Sequence, residues 1–396
     1  MLLQWRAIFA LFGSFQSNEH VKARYSQSNG GRRTVTMKQV AELAGVHVST
    51  VSRALSPQTR PMVDPSAVSR VMKAAQTLGY RLDPVAASLR TGRSKLVGIL
   101  VPDIATSVFT PILTGATERL SARGYSVLVA YVGSDPEQQL DIAGGLIARR
   151  VDGLIVATAS RQDPLVSFCI EQKLPIVLVN RSEKDTRISA VVSDDIQGMQ
   201  LAVDHLVDLG HKNIAHLAGP AEHSTGFLRR QGFHQALTAR GLDPLKAPCE
   251  FAKTYTREQG AEAAGRLIDS RSEITAIVAA NDLLALGAYD ALNERQLSCP
   301  RDISIVGHND MPLVDLVHPA LTTIRISHRE MGIQAADLLQ QTMEDGDHLA
   351  RNVVLPPKLI VRASTAPARI TATRRQSSVP RKAERRWLKG KSAPTA

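Results

Sequence analysis

Val48, Ser49, Ser52 and Arg53 place a pair of methyls, two hydroxyls and a guanidinium along one side of a short helix, since each residue turns the helix by about 100°. Thr50, Val51, Ala54 and Leu55 fall on the other side, which so short a helix must bury against a neighbour. The guanidinium donates in a flat fork and the hydroxyls donate or accept, so the outer side is equipped to bind a polar surface. Taken alone, the same residues serve equally well as an ordinary solvated face.

Bond-breaking chemistry has no comparable constellation. There is no GxxxxGK[ST] loop, no GxGxxG after a strand, no GxSxG elbow and no HExxH pair. His205, His211 and His216 approach a metal spacing, but they fall on a helix, a turn and a strand, and surface or capping roles are expected of them. Cys169, Cys249 and Cys299 are thiols without a disulfide framework, as a cytosolic protein has. No enzyme activity, metal or cofactor is expected, and the expected location is the cytoplasm, on the nucleoid.

The elements that position the Arg53 face can be read locally. Thr36 followed by Gln39 is a capping box, and Met37, Val40, Ala41 and Ala44 recur at helical spacing. Gly45 can take the left-handed geometry that turns the chain, Val46 can plug the corner, and the second helix runs from about Val48 to Leu55. Asp64, Pro65 and Gly79 bracket a third helix, PSAVSRVMKAAQTL, with Val68, Val71, Met72, Ala75 and Leu78 as its stripe. RLDPVAASLRTGRSK then starts a helix at Asp83 and Pro84 and stops it at Gly92; about eight residues form a marginal helix alone, so this one is expected to form fully only when something packs on it.

Charge separates these helices from the middle of the chain. Residues 34–95 hold nine Lys or Arg against three acids, residues 1–33 carry +4 and residues 366–396 carry +8, so residues 96–365 must carry −7 for the chain to reach +11. Basic charge on a small helical module is the footprint of a phosphate binder, and the acidic middle argues against nonspecific binding over the whole surface.

The middle reads as α/β. LVGILVPD, YSVLVAYV, VDGLIVA, LPIVLVN, NIAHLAG, AIVAAN and DISIVGH alternate with amphipathic segments such as PILTGATERLSARG and DIQGMQLAVDHLVDLG. Continuous apolar strands between helices mean parallel sheets covered on both faces. About 270 residues exceed one such sheet, so two doubly wound subdomains are expected, with a ligand between them at the carboxyl ends of the strands.

VTMKQVAELAGVHVSTVSRAL, LGYRLDPVAASLRTG, VGILVPD, VDGLIV, AANDLLALGA and PALTTIR together resemble the lactose-repressor family of bacterial transcription regulators, from about Thr34 to Arg362. The resemblance implies a helix-turn-helix DNA-binding domain at 34–82, a hinge helix and linker at 83–95, and a periplasmic-binding-protein-like effector and dimerisation domain at 96–365. It places the subdomains at roughly 96–192 plus 326–350 and 193–325 plus 351–365. A homodimer on pseudo-palindromic double-stranded operator DNA is implied, most simply as a repressor released by a small-molecule effector; activation or a corepressor mode is the alternative. The DNA-binding set is then Thr36, Val48, Ser49, Thr50, Arg53, Ala86, Leu89 and Arg90. Arg53 can donate to guanine O6 and N7, Ser49 can pair with several bases, the Val48 methyls can meet thymine, and Leu89 can wedge into the minor groove beside Arg90. Two departures stand out: His47 occupies the place of a capping serine, and Ala87 that of a hinge arginine.

For the effector, the resemblance implies a cleft lined by Phe109, Asn180, Arg181, His223, Thr225, Arg229, Tyr255, Asn281 and Asn309. Many relatives have aspartates where Asn180 and Asn309 stand. An amide does not repel an anion, and Arg181, Arg229 and His223 can supply positive charge, so a sugar acid of the gluconate kind or a phosphorylated sugar is expected ahead of a neutral sugar or a purine. The alternative is that Asn180 caps a strand end and Asp310 takes the carboxylate role.

The ends are read separately. MLLQWRAIFALFGSF is apolar, but no small-residue cleavage site follows and the run is too short to span a bilayer, so 1–33 is expected to be a disordered extension or a start codon assigned too early. As an export signal it would make the protein a periplasmic sugar binder, for which residues 36–55 would have no use. No membrane partner is expected. The basic segment 366–396 is low in apolar residues and reads as a disordered tail without leucine heptads.

Overall fold

A computed structural model describes residues 35–369 except 57–58, 81–87, 89–91, 103–106, 134, 272 and 346–348. The expectations for the two ends, and for Ala86, Leu89 and Arg90 of the hinge, fall outside the described residues. The chain divides into two compact units at Gly92 and Arg93.

The first unit holds α1 (Met37–Ala44), α2 (Val48–Leu55) and α3 (Pro65–Leu78), with a 3-10 turn at Arg60–Met62 between the last two. Each boundary has a local cause. The capping box is formed, with Gln39 Oε1 accepting from the Thr36 amide at 2.8 Å. Gly45 and Gly79 both end helices at positive φ, 63° and 64°, where a Cβ would be strained. Asp64 accepts from the amides of Ser66 and Ala67 ahead of Pro65. Val40, Val51 and Val71, one from each helix, are wholly buried in a core otherwise of small alanines.

The second unit contains, in chain order, β1 (Leu96–Val101), α4 (Phe109–Ser121), β2 (Ser126–Tyr131), α5 (Pro136–Ala148), β3 (Gly153–Val156), α6 (Pro164–Glu171), β4 (Ile176–Val179) and β5 (Ala190–Ser193). The chain then crosses into α7 (Asp195–Asp208), β6 (Ile214–Ala218), α8 (Ser224–Ala239), β7 (Cys249–Phe251), α9 (Arg257–Ser270), β8 (Ala276–Ala279), α10 (Asp282–Glu294), β9 (Ser304–Asn309) and β10 (Thr322–Arg325). It returns as α11 (His328–Asp345) and β11 (Asn352–Leu355), and crosses once more into β12 (Lys358–Ile360).

Two six-stranded sheets result, in the orders β11-β5-β4-β3-β1-β2 and β12-β10-β9-β8-β6-β7. Every pairing is parallel except that of β10 with β12. The seven apolar runs are all strands, and in six of them burial under helices on both faces explains the apolar pattern; the seventh, β2, is an edge strand with Val129 and Tyr131 exposed. The last crossing departs from expectation: β11 pairs with β5, so residues 352–355 belong to the first subdomain and the crossing falls after Leu355 rather than near 350. Helix α11 packs closely on α4, since a Cβ on Gly115 would lie 2.2 Å from the Arg329 carbonyl oxygen. Among the described residues, no helix is long and apolar enough to cross a membrane.

Candidate functional site

The first candidate surface is the outer side of α2. Val51 and Ala54 are wholly buried, whereas Val48, Ser49 and Arg53 are exposed and Thr50 and Ser52 are intermediate. The division into two sides is therefore as the sequence implied. Thr36 is exposed at the start of α1, its side chain engaged with Gln39. His47 takes the capping role in place of serine: its Nδ1 accepts from the Ser49 amide at 3.3 Å and lies 2.8 Å from Ser49 Oγ. The far end of α2 is held by Thr59, whose hydroxyl donates to the Arg53 carbonyl, and by Arg60, whose Nε donates to that of Ala54. The backbone of Arg53 is fixed while its side chain stays outside.

The second is a cavity of about 620 Å³ between the two sheets of the second unit. Phe109, Asn180, Arg181, His223, Thr225, Arg229, Tyr255, Asn281 and Asn309 all line it. They come from the carboxyl ends of β1, β4, β6, β7, β8 and β9, where successive loops of a parallel sheet converge. Asn180 and Asn309 sit at positive φ, 67° and 118°, which asparagine tolerates better than most side chains. Asn281 Oδ1 caps α10 by accepting from the Leu284 amide at 2.8 Å, and the Thr225 and Tyr255 hydroxyls lie 3.2 Å apart. The Tyr255 ring lies so close to Gly219 that a Cβ there would come within 2.4 Å of it.

The two cleft arginines differ. Arg229 Nε donates to Asp195 at 2.8 Å and its Nη1 to the Ala280 carbonyl at 2.5 Å. Arg181 Nη1 donates to the Thr158 carbonyl at 3.1 Å, but its buried Nε has no partner. Burial, with a contribution from the positive Arg229, lowers the Arg181 pKa to about 10. His223 does not supply the positive charge expected of it: burial, and then Arg181, push it down to about 3, so it is neutral near pH 7. Asp310 is ion-paired with Arg325 at 2.6 Å and Arg362 at 2.7 Å and is not among the residues that line the cavity.

The subdomains touch beside the cavity. The Ser182 amide donates to Ser224 Oγ at 2.9 Å, the Arg161 amide to the Glu222 carbonyl at 3.0 Å, and the Arg161 guanidinium lies 3.7 Å from the Phe227 ring centroid. Asp195 and Arg161 were missed in the sequence. Asp194 and Asp195 form a doublet in which only Asp194 is needed to cap α7, a signal that the second carboxylate has another partner. The three spaced histidines do not converge. His205 meets Thr365, and His211 meets Thr275 and the Ala366 carbonyl. His216 is a core residue rather than a surface or capping one: it is wholly buried, stacks on Phe233 and bonds the Val278 carbonyl.

Residues 36–83 match the description "Bacterial regulatory proteins, lacI family", and residues 203–365 match "Periplasmic binding protein-like domain". The HTH-type transcriptional regulator DegA of Bacillus subtilis (strain 168) is 30% identical over 335 residues, covering 84% of this chain and 98% of its own. The HTH-type transcriptional repressor PurR of Mannheimia succiniciproducens is 31% identical over 333 residues, covering 83% and 98%. Among solved structures, a lac repressor dimer bound to operator and the anti-inducer ONPF aligns with a TM-score of 0.74 at 31% identity, covering 84% of this chain and 100% of that one. A complex of the transcriptional regulator CelR with cellobiose aligns with a TM-score of 0.64 at 29% identity, covering 83% and 99%.

Proposed function

The chain belongs to the lacI family of bacterial regulatory proteins, and from that premise we propose that it is a cytoplasmic, homodimeric repressor of a carbohydrate or sugar-acid catabolic operon. Two copies of α2 lie in successive major grooves of a pseudo-palindromic operator, with Arg53 on guanine and Ser49 and Val48 on neighbouring bases. Leu89 opens a minor-groove step between the half-sites, and Arg90 lies beside it. A small molecule bound between the subdomains changes how they sit, and the hinge helices form in only one of the two arrangements.

The effector of this reading is a sugar acid of the gluconate kind or a phosphorylated sugar. The observation that carries it is Arg181, a cleft guanidinium only 8% exposed whose buried Nε has no partner. An anion supplies both the missing bond and the missing charge. The second reading is a neutral sugar. It is favoured by the backbone of Asn180 and Asn309, whose positive φ gives each asparagine a reason independent of ligand charge, and by the cellobiose bound to CelR.

Calorimetric titration of gluconate-type acids against the matching neutral sugars, repeated with Asn309→Asp, separates the two. Acids should bind the unaltered protein more tightly, and the added carboxylate should weaken them. Neutral sugars binding better than every acid tried, or an aspartate variant with unchanged acid affinity, would defeat the charge argument.

A further inference from the structure

The two guanidiniums of the cavity divide the work of recognition unequally. Arg229 is 3% exposed and its counter-charge, Asp195, is built in. Among the described residues, no carboxylate comes within ion-pair distance of Arg181. The acidic groups around it are otherwise engaged. Asp163, 4% exposed in the same wall, accepts from the amides of Ser160 at 2.6 Å and Leu165 at 2.9 Å at the start of α6, where the helix N-terminus favours its charge. Glu222 and Lys253 are exposed at the rim and screened by water. His223 leaves a buried Nδ1 without a partner.

We infer that Arg181 is the charge-selecting residue of the cleft and that Asp195 confines Arg229 to reading neutral hydroxyls, so that the site prefers an effector with one negative charge to a neutral sugar and to a phosphorylated dianion. The inference rests on reading the cleft as a sugar-acid site. One carboxylate can accept from Arg181 Nε and a terminal nitrogen together, replacing the partner that Nε lacks. A second negative charge finds Arg229 already neutralised by Asp195, Lys253 out at the water-screened rim, and the buried carboxylate of Asp163, which repels it. The Arg229 pair still offers polar atoms beside Asn281, Asn309, Thr225 and Tyr255, a set matched to hydroxyls.

Calorimetry of the full-length protein with D-gluconate, D-glucose and D-glucose 6-phosphate, on wild type, Arg181→Met and Asp195→Asn, provides the test. Wild type should bind gluconate about tenfold or more tighter than the other two, and Arg181→Met should lose that preference. Asp195→Asn should move preference toward D-glucose 6-phosphate. Should Asp195→Asn fail to fold, the ligand-free melting temperature of Arg181→Met serves instead: it should equal or exceed that of wild type, because the change removes a buried cation without breaking an ion pair. Gluconate bound equally by wild type and Arg181→Met overturns the role of Arg181 while leaving the sugar-acid reading intact. Wild type preferring glucose overturns both, and a wild type preferring D-glucose 6-phosphate overturns the single-charge preference alone. A clearly lower melting temperature for ligand-free Arg181→Met shows the guanidinium to be a structural support instead.

Discussion

Asp195 and Arg229 are joined by a 2.8 Å hydrogen-bonded ion pair in which each side chain is only 4% exposed. Removing one member of such a pair strands the other in a poorly solvating interior, at a cost of roughly 3–5 kcal/mol, whereas replacing both by apolar groups costs much less. Asp195→Ala should therefore destabilise the second unit by about 3–5 kcal/mol, and Asp195→Leu with Arg229→Met by clearly less. Denaturant unfolding of wild type and the two variants decides; a double variant that loses as much as Asp195→Ala or more would mean that stranding the partner is not what costs stability.

On α2, Arg53→Ala should weaken operator binding by about 1–3 kcal/mol and relax preference at one base position, leaving nonspecific binding nearly unchanged. The helix itself should survive, because Arg53 is exposed and the buried side consists of Val51 and Ala54. Competition binding with single-base operator variants reads both effects. An unaltered base preference at every position would remove Arg53 from the reading face.

His47 caps α2 through its ring nitrogen, so His47→Ala should destabilise the first unit by about 1 kcal/mol and His47→Ser should restore most of the loss. Thermal unfolding of residues 1–92 within the intact protein, followed by amide exchange, measures this directly. Equal stability of the alanine variant would show the imidazole contact to be incidental.

Much of this was legible in the sequence, and the reason is range. The capping box at Thr36, the left-handed Gly45 and the Asp64-Pro65 start are set by contacts within a few residues, so type and spacing suffice. Six of the seven apolar runs announce themselves because burial on both faces leaves few polar positions, such as His216 in β6 and Ser304 and His308 in β9; the seventh, β2, is an edge strand. Short crossing strands do not: β11 alternates exposure over four residues, β12 has only three, none of them fully buried, and the two flank Pro356 and Pro357, so the sequence places the last crossing about five residues early. The cleft residues lie up to 200 positions apart, from Phe109 to Asn309, and only the resemblance could gather them. The neutral state of His223 and the pairing of Asp195 depend on burial that no local pattern carries.

Acid should destabilise the protein. His216 and His328 are lowered to about 4 and His223 to about 3, in each case chiefly by burial. A histidine depressed in the fold contributes stability that is present above its unfolded value near 6.5 and is lost as pH falls toward the folded value. At pH 5 each forfeits up to about 2 kcal/mol. Asp282 opposes this, because burial raises it to about 6 and protonating it stabilises the fold, by about 1 kcal/mol at pH 5. The histidines outweigh it, so the melting temperature should fall from pH 7 to pH 5, and less so in His216→Gln. A flat or rising profile would show the imidazoles to be solvated.

In the proposed function α2 reads DNA and an anion in the cleft alters that reading. The most direct measurement selects binding sites from random duplex DNA with the purified full-length protein, then follows the enriched sequence by fluorescence anisotropy with and without D-gluconate or D-glucose. The expected result is a pseudo-palindrome whose affinity changes at least about tenfold with the acid and little with the neutral sugar. No enriched sequence, or equal responses to acid and sugar, would contradict it.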